Sequence, residues 1–120
     1  MFKINDDNTM AIIRGDSGGF DFTVKQKDSE GEVTDYTLVT GDVVTFTVKK
    51  NTKETNHDAL IQKIGYVIDT SKVHFDIDPE DTEDLKYGKY YYDIEFVRYD
   101  GYTDTLIPPT LFTIKEEVTF

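Results

Sequence analysis

The residues of this chain able to carry catalytic chemistry are few. Cysteine is absent, which removes a thiolate nucleophile, a disulfide framework and any cysteine-held zinc or iron–sulfur site. Nucleophilic catalysis would then need an activated Ser, Thr or Lys beside a base, and the chain has only two histidines, His57 and His74. His74 stands between Val73 and Phe75 on the polar side of an alternating run, and His57 lies in a polar stretch. Both read as solvated surface. Six carboxylates crowd into Asp76-Ile77-Asp78-Pro79-Glu80-Asp81-Thr82-Glu83-Asp84, and hard cations such as calcium take oxygen ligands of this kind. The run lacks the glycine that an EF-hand loop needs for its sharp turn, so it reads better as a strand end followed by the acidic first turn of a helix. Paired carboxylates for glycoside hydrolysis would need a cleft that a small sandwich does not imply. Arg14-Gly15-Asp16 spells the tripeptide read by integrins, but Gly15 with Gly18-Gly19 is accounted for by a tight turn between strands. There is no Walker A or dinucleotide fingerprint. The expectation is a chain that is not an enzyme and uses no cofactor or metal.

Binding is the chemistry that composition favours. Six of the eight tyrosines fall between Tyr87 and Tyr102. Tyrosine offers a flat apolar face with a polar tip, suited to protein interfaces and to sugar stacking. Along the run from Gly88, Tyr90, Tyr92, Ile94 and Phe96 share one face, assigned to the core. Tyr91, Asp93, Glu95, Val97 and Tyr99 share the other, which is the expected interaction surface.

Period-two alternation supplies the elements that must position this face. It recurs in Phe20 to Lys25, Val44 to Lys49, Val73 to Asp78 and Tyr90 to Val97, with shorter candidates at Met10 to Ile13, Ala59 to Ile64, Tyr102 to Ile107 and Leu111 to Lys115. Turn residues separate the runs: Asp28-Ser29-Glu30-Gly31, Gly41-Asp42 and Asp100-Gly101, the last predicting a tight hairpin between strands ending at Tyr99 and beginning at Tyr102. Pro108-Pro109 marks a bulge or a sheet crossing. The one helical turn is expected near residues 79–85, with Asp78 as N-cap and Pro79 at the first position. Tyr90, just after that turn, fits a tyrosine corner whose hydroxyl ties the crossing loop to the strand. Residues 50–58 read as a polar loop. The expected fold is all-β, an Ig-like antiparallel β-sandwich of about seven to eight strands forming one domain over residues 1–120.

Thirteen basic against 24 acidic side chains give a net charge of −11, a field that repels phosphate backbones and anionic lipid. Nucleic acid and membrane are therefore not expected partners. The opening Met1-Phe2-Lys3-Ile4-Asn5-Asp6-Asp7 shows no apolar leader segment, so synthesis in the cytosol is expected.

The order of these motifs resembles a known family. Ile13-Arg14-Gly15-Asp16-Ser17 with Phe20-Asp21-Phe22-Thr23-Val24, Asp42 to Lys49, Ile77 to Thr82, Leu85 to Glu95, Asp100-Gly101 with Thr105-Leu106-Ile107, and Phe112 to Thr119 follow one another as in the small Ig-like domains of tailed-phage and prophage virion proteins. The N-terminal domain of the upper baseplate protein is similar across nearly the whole chain, least over residues 50–66. The resemblance implies a non-catalytic building block of a virion, in baseplate, tail or head, made in the bacterial cytoplasm and docked onto other virion proteins, with a homo-oligomer as a further form. It carries no active-site residues over. The alternative reading is a carbohydrate-binding module using the surface tyrosines.

Overall fold

Val44, Phe46 and Val48 turn to one side of their strand because side chains alternate across a pleated backbone, and the same rule gathers the apolar set of every long strand into one interior. A computed structural model describes residues 1–51 and 59–116. His57 and residues 52–58 of the polar loop, like residues 117–120 at the end of the resemblance, lie outside the described residues.

The elements in chain order are β1 (Phe2–Ile4), β2 (Met10–Ile13), β3 (Gly18–Thr23), β4 (Lys25–Lys27), β5 (Val33–Asp35), β6 (Val43–Lys49), β7 (Ile61–Ile64), β8 (Tyr66–Asp69), β9 (Lys72–Ile77), α1 (Pro79–Thr82), β10 (Gly88–Val97) and β11 (Thr103–Lys115). The fold is all-β. A six-stranded sheet runs β1-β2-β11-β10-β6-β7, a three-stranded sheet runs β3-β9-β8, and β4 with β5 forms a separate two-stranded arm. Phe46 of the large sheet meets Phe20 at 5.3 Å and Phe75 at 5.9 Å on the three-stranded sheet. On its own sheet it meets Tyr92 at 5.4 Å and Phe112 at 6.2 Å. The two sheets therefore share one core.

Several expectations are corrected. Eleven strands are present among the described residues, rather than seven or eight, because the chain adds the short pairs β1, β4 and β5 and splits at Gly65. The sheets are not wholly antiparallel: β11 runs parallel to β2, with Phe112 opposite Met10 and Lys115 opposite Ile13. The two runs separated by Pro108-Pro109 form one continuous strand. It carries the expected bulge, since Asp93 of β10 faces both Pro108 and Pro109, and a second one at Leu106. The helix stops at Thr82 rather than Leu85. Its N-cap Asp78 and first-position Pro79 are as read, and the Asp81 carboxylate accepts a hydrogen bond from the Asp78 N–H at 2.7 Å. The Tyr90 hydroxyl donates to the Lys86 carbonyl at 2.6 Å, the tie expected of a tyrosine corner.

Candidate functional site

β10 is a central strand of the large sheet, flanked by β6 and β11, and this decides how much of its outer face a partner can reach. Tyr91, Asp93, Glu95 and Val97 do point outward, but each is half-buried among neighbours that are mostly polar. Lys49, Thr47, Thr45 and Val43 stand opposite them on β6. Burial pushes the Asp93 carboxyl above its ordinary range, with Lys49 opposing the shift. Tyr99 lies beyond the strand: β10 ends at Val97, and Tyr99 sits exposed in the following turn, its N–H donating to the Asp42 carboxylate at 2.9 Å. The surface named from alternation is thus a threonine- and carboxylate-rich field with an aromatic at one end. It is less apolar than Tyr91, Val97 and Tyr99 together imply.

A run of exposed apolar side chains lies elsewhere. β7 closes one end of the six-stranded sheet and β8 closes one end of the three-stranded sheet, and the chain passes from one to the other at Gly65. Both sheets are therefore open along this flank. Ile64 is 70% exposed, Tyr66 52%, Val67 60% and Ile68 47%. The Gly65 N–H donates to the Val44 carbonyl at 2.9 Å, and a Cβ at Gly65 would come to 3.0 Å from the side chains of Phe75 and Val73, so a larger residue at the crossing would press on the core. A run of four large apolar residues broken only by glycine, without alternation, was the available signal. Sequence reasoning passed over it because period two was the criterion for a strand.

His74 projects from the outer face of β9, yet it is not a freely solvated side chain. Its Nδ1 lies 2.6 Å from Asp21 Oδ1 and its Nε2 lies 2.8 Å from Asp76 Oδ1, while the Tyr66 ring packs over it at 5.3 Å. The hydrogen bonds to Asp21 and Asp76 raise its pKa above the ordinary value against a smaller opposing effect of burial. Both ring nitrogens are engaged by carboxylates, an arrangement that favours imidazolium over a general base. Part of the acidic run from Asp76 is likewise committed to protein partners: Asp78 and Asp81 bind Lys63 at 3.2 and 2.9 Å. Among the described residues no cluster of histidine and carboxylate has the geometry to hold a metal ion.

Arg14-Gly15-Asp16 forms the turn anticipated for it. Gly15 has a φ of +83°, its N–H donates to Thr82 Oγ1 at 2.9 Å, Arg14 stacks on Tyr87 at 4.3 Å, and Asp16 pairs with the N-terminal ammonium.

Sequence reasoning did not identify one further feature. The β4–β5 arm pairs with neither larger sheet and stands over the inner face of β10 and β11 near their hairpin, leaving a groove of about 500 Å³. Phe96, Tyr36 and Leu106 supply its apolar lining, with Tyr36 edge-on to Phe96 at 5.2 Å. Lys25, Lys27, Arg98 and Asp104 are its charged residues. Among the described residues no helix is long and apolar enough to cross a membrane. No protein-family model matches this chain, and a search of curated proteins finds no match.

Proposed function

We propose that this chain is a non-enzymatic structural component of a tailed-phage or prophage virion, a baseplate, tail or head accessory protein that works by contact with other virion proteins. The observation that carries the reading is the open flank, where Ile64, Tyr66, Val67 and Ile68 stand in water at the unpaired ends of two sheets. Exposed apolar edges are a liability in a free monomer and an asset in an assembly, where a partner covers them. The order of motifs, which resembles that of virion Ig-like domains, is what names the kind of assembly in this reading.

The test is co-expression with the products of adjoining genes, followed by light scattering of the purified complex. A stable complex with a capsid, tail-tube or baseplate chain is expected, lost when Ile64→Lys is combined with Val67→Lys and the melting temperature stays put. Tyr91→Ala with Tyr99→Ala reports on the outer face of β10 in the same assay. Adjoining genes of metabolism, or a glycan array with one reproducible class of hit abolished by the tyrosine pair, would reverse the reading in favour of the carbohydrate-binding alternative.

A further inference from the structure

The inner face of β10 and β11 is not covered by the three-stranded sheet along its whole length. β3 ends at Thr23 and β9 begins at Lys72, and the β4–β5 arm with the adjoining Tyr36 shares a groove with Phe96, Arg98, Tyr102, Asp104 and Leu106. The arm is anchored at its base. Val24 is fully buried and donates its N–H to the Ser71 carbonyl at 2.8 Å, and the Tyr36 N–H donates to the Val24 carbonyl at 2.9 Å. Past those anchors β4 and β5 are exposed at every position.

The adjoining strand is incomplete as well. β2 pairs with β11 only over Phe112–Lys115, so among the described residues Thr103–Ile107 has β10 on one side and no strand on the other. Half of the backbone donors and acceptors of that stretch point toward a strand that the fold does not supply. The groove is also a local exception to the charge of the chain. Its lining holds three cations and one acid in a protein of net charge −11. Lys25 pairs with Asp35 at 2.6 Å and Arg98 with Asp100 at 3.1 Å, while Lys27 has no ion-pair partner among the described residues.

We propose that this groove receives an extended acidic segment of another protein, which pairs with the free edge of β11 at Thr103–Ile107 and places an apolar side chain on Tyr36 and Leu106, the partly exposed apolar residues above the buried Phe96. The unpaired edge calls for a polypeptide backbone rather than a sugar. Lys27, the arm's lysine without an ion-pair partner among the described residues, calls for a carboxylate, and Asp104 on the opposite wall sets its side: the acids of the segment face the arm. This inference is separate from the open flank, with which the groove shares no residue.

The probe is a synthetic peptide long enough to span Thr103–Ile107, alternating glutamate with valine around a central phenylalanine, titrated into ¹⁵N-labelled protein. Saturable amide shifts confined to residues 25–36 and 96–107 are expected. Lys27→Glu should weaken binding about tenfold, as should Val33→Asp, with both variants melting like the parent. Equal binding of a twin peptide with lysine for glutamate would overturn the proposal. So would shifts confined to β7 and β8, no shift at millimolar peptide, or the same amides responding to a sulfated oligosaccharide and not to the peptide.

Discussion

His74 is held between two carboxylates on the outer face of β9, and these hold its proton more tightly than in free histidine. Asp21 reaches it from β3 and Asp76 from two positions along its own strand, with the Tyr66 hydroxyl turned to Asp76 at 3.4 Å. A histidine that binds its proton more tightly when folded lends stability that is fully present below its unfolded pKa, about 6.5. That stability is lost as pH rises through the higher folded value. Titration of the ring protons by NMR should therefore give a midpoint above 6.5, falling in Asp21→Asn, and thermal stability attributable to His74 should decline from neutral toward alkaline pH. A midpoint at or below that of free histidine would refute the pairing. The outward direction of His74 was legible from alternation. Its partner Asp21 was not, because the two lie 53 residues apart and meet only through the β3–β9 register. Gly19 was equally opaque: it sits opposite Asp76, where a Cβ would come 3.1 Å from His74 Nε2.

At the scale of elements, the hairpin between β10 and β11 shows how far turn chemistry reads from residues alone. Asp100-Gly101 was legible as the reversal. The turn is nonetheless wider than a two-residue loop: Arg98 donates its N–H to the Tyr102 carbonyl at 2.8 Å, and Gly101 donates to the Arg98 carbonyl at 2.9 Å. Only Gly101 has positive φ, at +90°, while Asp100 uses its carboxylate to accept from the Tyr102 N–H at 3.1 Å. This is a three-residue loop closed by a glycine bulge. A Cβ at Gly101 meets nothing within 4 Å, so Gly101→Ala should cost backbone strain alone, about 1 kcal/mol, read from chemical denaturation. A neutral result would mean the turn relaxes to another type. The short arm β4–β5 escaped prediction because Lys25-Gln26-Lys27 and Val33-Thr34-Asp35 bury nothing and so leave no apolar pattern. Tyr99 was read as part of the strand for a related reason: alternation does not announce where a strand stops.

Across the whole molecule, the all-β character was the most legible feature, since period-two alternation with turn residues between the runs leaves strands as the repeating element. Phe46 is the hub of the core, fully buried and in ring contact with both sheets. Phe46→Ala should cost about 3–5 kcal/mol, a large part of the roughly 5–15 kcal/mol that holds a domain folded, and urea melts would show it as a lower midpoint. A loss under about 1 kcal/mol would mean that the layers do not depend on this ring. What no local pattern could reveal is the order of strands, and above all that β2 lies alongside β11 in the same direction. That pairing has a mechanical consequence. Drawing the two ends of the chain apart would peel β1 from β2 first, since those strands are antiparallel. The load would then fall lengthwise on the rungs between Met10–Ile13 and Phe112–Lys115, which in shear must yield together rather than one after another.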